Sequence, residues 1–179
     1  DLVFDSQGNL YFTDQGQTGL HDPTGRLYRL RSSGQLDLLL DNVPSPNGVA
    51  LSPDEKVLYL AVTRGNCVWR VPLLADGSVS KVSQFFTSYG ASGPDGLAVD
   101  QRGRLLVANP GLGYVWVLNA RAEPELVLRG APGASITNLV FGGPGHGTLY
   151  VTDSTHGAVL RAEPGAPGLV LHRAPAGSQ

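Results

Sequence analysis

The sequence has 179 residues, enough for one domain with a substantial apolar core, and 13 Lys and Arg against 15 Asp and Glu give a formal net charge of −2. That balance excludes a broad basic surface, so neither nucleic acid nor a membrane surface is expected as a partner. No apolar run approaches the ~18 residues of a membrane-spanning helix, and no signal-peptide pattern opens the sequence, so a cytoplasmic location is expected.

Glycine and proline interrupt the chain throughout. The 24 Gly and 13 Pro make up about a fifth of the sequence, which excludes a helical bundle. The one cysteine, Cys67, excludes an intrachain disulfide and a cysteine-based zinc site, and its apolar neighbours predict a buried side chain. The sequence has no methionine and starts on a strand-like segment at Asp1, which favours a part of a longer protein.

The main pattern is a repeat of about 45 residues. Equivalent apolar segments begin near Leu2, Val49, Leu97 and Leu139, at intervals of 47, 48 and 42 residues. Each segment is followed by a turn rich in Asp, Gly or Pro and then by a returning strand, as in a hairpin. The units predicted from this repeat span residues 1–46, 47–94, 95–137 and 138–179.

Each unit is predicted to contain four short strands. The predicted third strands are Gly25–Leu30, Cys67–Val71, Gly113–Val117 and Ala158–Arg161, and the fourth strands are Leu36–Leu40, Val82–Phe86, Glu125–Leu128 and Leu169–His172. Four strands per repeat of this length are typical of β-propeller blades. The predicted fold is therefore all-β, with four visible four-stranded blades, and the absence of a strand before the first blade favours part of a larger ring.

Polar residues stand just before the innermost strands. They are Asn47 in Pro-Asn-Gly, Asp95 in Pro-Asp-Gly, Asn138 in Thr-Asn-Leu, and Asp1 near the equivalent point of the first unit. Because the first strand of each propeller blade lines the central channel, these side chains are expected at one channel mouth. One carboxylate with several amide oxygens suits Ca²⁺ or another divalent cation. Asn-Gly and Asp-Gly are also ordinary turn dipeptides, so the residues alone leave both interpretations open.

Three segments together resemble a known family: Asp1–Asp14, Pro46–Asp54 and Gly93–Asp100. Their order and spacing resemble the gluconolactonase, regucalcin (senescence marker protein) and lactone-responsive family over essentially the whole chain. The resemblance implies a six-bladed propeller that holds a divalent metal, most often calcium, with Zn²⁺ and Mg²⁺ as alternatives. It also implies an enzyme that hydrolyses lactones or related esters.

Carried over residue by residue, the resemblance makes Asn47 and Asp95 metal ligands. It places Asp1 beside the metal, where it would bind substrate or assist Asp95 in catalysis, and Asn138 is expected to contact substrate at the same mouth. The family's other two ligands, a Glu and the Asn that precedes the Asp1 position, have no counterpart in this sequence. This implies that about two blades are missing and that the chain alone would be weakly active or inactive.

The expected reaction is metal-assisted lactone hydrolysis, in which the cation polarises the lactone carbonyl. The sequence leaves open whether Asp95 or a water molecule is the nucleophile. The alternative function is a non-catalytic propeller that acts as a scaffold or binds a protein partner. Asp14 and Asp153, which close second strands, either face the same mouth or have structural roles in turns, and the turn role is favoured. The four histidines are assigned to solvated loops: His21, His146, His156 and His172.

Overall fold

The computed structural model describes residues 1–90 and 92–173, which form antiparallel β-sheets arranged as propeller blades. The first sheet contains β1 (Leu2–Phe4), β2 (Leu10–Asp14), β3 (Gly25–Leu30) and β4 (Leu36–Val43). The second contains β5 (Pro46–Leu51), β6 (Val57–Val62), β7 (Cys67–Pro72) and β8 (Ser83–Thr87). In both sheets each strand pairs with the next strand along the chain.

The remaining two sheets repeat this order. The third contains β9 (Leu97–Val99), β10 (Leu105–Asn109), β11 (Tyr114–Leu118) and β12 (Pro124–Arg129). The fourth contains β13 (Ile136–Gly142), β14 (Thr148–Asp153) and β15 (Ala158–Ala162). The predicted all-β propeller fold is confirmed. No helix among the described residues is long and apolar enough to cross a membrane.

The hairpins that start the first and third blades use the same local chemistry. The Asp5 carboxylate accepts the backbone N–H groups of Gln7 (3.0 Å) and Asn9 (2.8 Å). In the third blade, the Asp100 carboxylate accepts those of Arg102 and Arg104, both at 2.9 Å. Each of these turns contains a glycine in the left-handed region (Gly8 and Gly103), where a side chain would be strained. The repeat is therefore encoded by short-range hydrogen bonds as well as by apolar residues.

The apolar core lies between neighbouring blades. Side chains of β6 alternate between the two faces of its sheet, because successive residues of a strand point to opposite sides. Leu58 and Leu60 pack toward the first blade, whereas Tyr59 and Ala61 pack toward the third. A third cluster joins the third and fourth blades. Cys67 is buried in the cluster between the first and second blades, as predicted. Neighbouring blades are therefore held together by the packing of apolar side chains between their sheets.

The predicted fourth strand at Leu169–His172 is wrong. The fourth sheet has three strands in the described part of the chain, and the segment crosses to the third blade instead. There the N–H of Leu169 donates to the carbonyl of Val99 (3.1 Å), and Gly168 forms a bridge with Asp100. Pro164 and Pro167 lack the N–H that a continuing ladder requires, so the chain leaves the fourth blade before this segment.

A buried ion pair fixes the outer strands of the first blade. Arg29 is 5% exposed, and its Nη2 lies 2.7 Å from Oδ2 of Asp37, which also accepts Nε of Arg31 at 2.6 Å. The hydrogen bonds from Arg31 and Arg29 lower the pKa of Asp37 from its ordinary 3.8 to about 2. Because the folded-state pKa is depressed, this carboxylate stabilises the fold above pH ~4, and that contribution is lost as the pH falls through ~2.

We therefore expect Asp37→Asn to lower the melting temperature clearly at pH 7 and much less at pH 2. At pH 2 the parent has already lost much of the charge on this carboxylate. Asp41→Asn, an exposed position on the same strand, is the matched control and should leave the melting temperature nearly unchanged at both values. An equal effect of Asp37→Asn at pH 7 and pH 2 would contradict the role given to this charge.

Candidate active site at the channel mouth

Backbone hydrogen bonds join the starts of the innermost strands of neighbouring blades. Asn47 and Asn138 lie within β5 and β13, and not just before these strands as expected, whereas Asp95 directly precedes Gly96 and β9. The N–H of Gly48 donates to the carbonyl of Asp95 (3.0 Å), and the N–H of Gly96 donates to the carbonyl of Thr137 (2.9 Å). These bonds run from the second blade to the third and from the third to the fourth. They place Asn47, Asp95 and Asn138 in adjacent positions at the same mouth.

The glycines in Pro-Asn-Gly and Pro-Asp-Gly allow this close approach. A Cβ atom at position 48 would collide with the carbonyl oxygen of Asp95, and one at position 96 would collide with Oδ1 of Asn138. Gly48 and Gly96 have no left-handed φ, so the requirement is for space rather than for backbone freedom. The glycines of these two tripeptides therefore allow close contact between neighbouring blades. An ordinary Asn-Gly or Asp-Gly turn does not require such a contact.

Asp95 is half-buried, and burial raises the pKa of its carboxyl. The side chain of Asn47 acts in the opposite direction and lowers that pKa. The backbone nitrogen of Asp1 lies close enough to Asp95 to interact with it electrostatically. Asp1, Asn47 and Asp95 therefore lie near one another.

Asp1 and Asn138 have the same local geometry. Each side chain accepts the N–H of the following leucine at 2.8 Å, Leu2 in one case and Leu139 in the other. Both side chains are exposed, and both line an open cavity of about 620 Å³ whose walls are mainly apolar. Asn47 and Asp95 are not among its lining residues in the described part of the chain.

The gathered oxygens match a hard divalent cation in type. Asp95 supplies a carboxylate and Asn47 an amide oxygen, which are the ligand types that Ca²⁺ takes. Among residues 1–90 and 92–173, no Lys or Arg side chain forms an ion pair with Asp95. The same residues contain no group of three or more His, Cys, Asp or Glu side chains around one point. The fit thus rests on one carboxylate and neighbouring amides.

The strand-end acidic residues have structural contacts. Oδ1 of Asp14 accepts the N–H of Gly16 (3.1 Å), which is a turn contact. Asp153 is buried and accepts the N–H groups of Ser135 and Thr155, both at 3.1 Å. The assignment of these residues to turns agrees with these bonds.

Two of the four histidines have acidic partners. Nδ1 of His156 lies 2.7 Å from Oδ2 of Asp153, and Nε2 of His172 lies 3.0 Å from Oε1 of Glu55. Both side chains lie outside the strands and are nearly half exposed, at 45% and 46%, which agrees with the prediction of solvated loops. Sequence spacing gave no sign of either contact, because His172 and Glu55 meet only after the last described segment crosses the channel.

Sequence reasoning also missed two threonines at the mouth. The Thr13 hydroxyl donates to the carbonyl of Asn47 (2.8 Å), and the Thr63 hydroxyl donates to the carbonyl of Pro94 (2.8 Å). Thr13 lies within the second strand of its blade and Thr63 directly follows that strand in the next. Their position at the end of the second strand of a blade is the sequence signal that could have identified these two threonines.

Comparison with known proteins gives a consistent result. A family model described as the SMP-30/gluconolactonase/LRE-like region matches residues 1–155. Lactonase drp35 of Staphylococcus saprophyticus is 32% identical over 176 residues, covering 96% of this chain and 49% of the relative. Lactonase drp35 of Staphylococcus aureus strain RF122 is 36% identical over 129 residues, or 69% of this chain and 39% of the relative. The chain thus spans half or less of these curated relatives.

Solved structures show the same fold. Regucalcin from Agrobacterium tumefaciens strain C58, a calcium-binding protein, matches with a TM-score of 0.78 and 26% identity, over 94% of this chain and 61% of that one. A luciferin-regenerating enzyme matches with a TM-score of 0.79 and 27% identity, over 96% of this chain and 63% of that one. These neighbours are six-bladed propellers, of which the present chain matches four blades.

Proposed function

The chain belongs to the SMP-30/gluconolactonase/LRE-like family, and from this we propose that it carries part of the site of a metal-dependent lactone hydrolase. The observation that carries the proposal is the half-buried Asp95 carboxylate, placed beside Asn47 by the contact between Gly48 and Asp95. The curated relatives named as lactonases support the reaction class. The calcium-binding regucalcin neighbour supports a divalent cation, with Ca²⁺ favoured over Zn²⁺ or Mg²⁺.

In this proposal, the Asp95 carboxylate and Asn47 Oδ1 hold the cation. Once bound, the cation would polarise the lactone carbonyl and stabilise the negative charge that develops on its oxygen. Asp95 is suited to this task because no Lys or Arg side chain of the described residues neutralises it. The Asn47 amide adds a ligand without adding charge.

Asp1 and Asn138 are assigned to the substrate. Oδ1 of Asp1 accepts the N–H of Leu2, and Oδ2 has no hydrogen-bond partner among residues 1–90 and 92–173. In the proposal, Oδ2 takes a proton from the water that attacks the lactone carbonyl carbon. The ring C–O bond then breaks, the proton passes to the leaving ring oxygen, and a hydroxy acid results. Oδ1 of Asn138 is occupied by the N–H of Leu139, which leaves its NH₂ group free to donate to a substrate oxygen.

We expect Asn47→Ala to raise the calcium concentration needed for activation by about tenfold, which corresponds to ~1.4 kcal/mol of binding free energy. Turnover at saturating calcium should stay near the parental value. The reason is that a neutral amide contributes less to holding a dication than a carboxylate does. The measurement is the calcium concentration for half-maximal hydrolysis in a longer parent protein that carries the missing blades. Asn42→Ala, an exposed position on β4, is the control. An unchanged half-maximal concentration in Asn47→Ala would remove Asn47 from the ligand set.

Lactone hydrolysis with and without metal tests the proposed function. Because the chain alone is expected to be weakly active or inactive, acid release from a simple lactone is followed in a longer parent protein that carries the missing blades. It is measured after chelation and then during addition of Ca²⁺, Zn²⁺ or Mg²⁺. The proposal predicts that chelation stops hydrolysis and that Ca²⁺ restores it. Hydrolysis that survives chelation would contradict metal dependence. No hydrolysis with any metal or lactone would favour a non-catalytic scaffold or protein-binding propeller.

A further inference from the structure

We propose that Thr13 and Thr63 are positioning residues, whose hydroxyls fix the main chain at the site residues of the next blade. This inference rests on the function proposed above, because it concerns how Asn47 and Asp95 are held. Neither threonine supplies an atom to the cation or the substrate. Each acts through one hydrogen bond to a carbonyl that crosses between blades.

Thr13 connects two site residues with a single hydroxyl. Its Oγ1 donates to the carbonyl of Asn47 at 2.8 Å and accepts a hydrogen bond from the backbone nitrogen of Asp1, also at 2.8 Å. A hydroxyl has one donor and two acceptor sites, so both bonds form at once. Thr13 therefore sets the distance between the start of the first blade and the Pro-Asn-Gly segment of the second.

The contact with Asp1 does not depend on a charged amino group. In the fourth blade, Thr152 occupies the position equivalent to Thr13, and its Oγ1 accepts the ordinary amide N–H of Asn138 at 2.8 Å. The same acceptor bond therefore forms to a peptide nitrogen. The donor bond across to the next blade is what distinguishes Thr13.

Thr63 completes the fixing of the Asp95 backbone. Its hydroxyl holds the carbonyl of Pro94 at 2.8 Å, just before Asp95. The Asp95 N–H donates to the carbonyl of Ala108 (2.9 Å), and the Asp95 carbonyl accepts the N–H of Gly48 (3.0 Å). Each polar group of the main chain from the carbonyl of Pro94 to that of Asp95 thus has a partner. The side chain of Asp95 projects from a backbone with little freedom, which preorganises it for a ligand.

The test compares hydroxyl removal with hydroxyl retention. Thr13→Val and Thr63→Val keep the branched shape and lose the hydroxyl, whereas Thr13→Ser and Thr63→Ser keep it. Thr87→Val, on β8, the outermost strand of the second blade, controls for the same change at another strand position. The measurements are binding of Tb³⁺ by luminescence, amide hydrogen exchange at Gly48 and Asp95, and the melting temperature.

We expect each valine variant to bind Tb³⁺ about fivefold more weakly, as for loss of one neutral hydrogen bond. Exchange should rise about fivefold at Gly48 in Thr13→Val and at Asp95 in Thr63→Val, while the serine variants stay within about twofold of the parent. Thr87→Val should match the parent in both measurements. If a valine variant does not fold, Thr→Ala at that position gives the same comparison.

Unchanged exchange at Gly48 and Asp95 in the valine variants would overturn the proposal, as would serine variants that fail to restore the parental values. A uniform rise of exchange at all amides would also overturn it, because it would show a general loss of stability. These measurements require no hydrolysis, so a failure of the lactonase proposal would be seen separately. If the parent binds no Tb³⁺, the exchange data alone decide.

Discussion

In a longer parent protein with the upstream blades restored, replacing Asp95 by alanine is expected to reduce metal-dependent lactone hydrolysis by about a hundredfold or more. The change removes the only carboxylate assigned to the cation, and the amide of Asn47 cannot supply the missing negative charge. The side chain is half-buried at the surface of a loop, so its loss should leave the strands intact. Turnover is measured across a calcium and zinc titration, with circular dichroism as the control for folding.

A second variant separates charge from shape. Asp95→Asn keeps the size of the side chain and its contact with Asn47 but removes the charge, and it should lose nearly as much activity as Asp95→Ala. Asp41→Ala, at an exposed position of β4, should retain parental turnover. If Asp95→Ala kept near-parental turnover at saturating metal, the lactonase mechanism would be abandoned in favour of a non-catalytic propeller.

A large loss of stability, about 3 kcal/mol of the free energy of unfolding, is expected from Gly96→Ala. The added Cβ would meet Oδ1, Cγ and Cα of Asn138, and the Cα belongs to a backbone already fixed by pairing of β13. The third and fourth blades would have to separate at the mouth. The measurement is the midpoint of urea-induced unfolding.

Gly147→Ala is the matched control for this substitution. Gly147 has an ordinary negative φ of −80°, and the nearest atom to an added Cβ is 3.9 Å away. Its unfolding midpoint should remain close to that of the parent. A Gly96→Ala variant as stable as Gly147→Ala would show that the blades do not approach each other as closely as the structure indicates.

The blade repeat is predictable because its determinants are short-range. The carboxylates of Asp5 and Asp100 each accept the backbone N–H groups of the residues two and four positions later, and so form the same hairpin turn. The alternation of side chains along each strand then decides which of them enter the core. Placement of Asn47, Asp95 and Asn138 at one mouth then follows from the repeat alone. A propeller puts equivalent residues of successive blades side by side.

Contacts between distant segments were not predictable in this way. The apolar residues at 169–171 suit a fourth blade strand as well as a crossing segment, and the choice depends on the free edge of β9. The hydroxyl contacts of Thr13 and Thr63 depend on how closely two blades approach, which no local pattern encodes. For the same reason, the pairing of His172 with Glu55 could not be foreseen.

The central claim is that Asn47 and Asp95 share one divalent cation at the channel mouth. A crystal structure of the protein grown with Ca²⁺ tests it most directly. The account predicts one ion with an Asp95 carboxylate oxygen and Asn47 Oδ1 both at about 2.3–2.6 Å. An ion bound elsewhere, or an Asn47 or Asp95 side chain turned away from the mouth at saturating Ca²⁺, would contradict it.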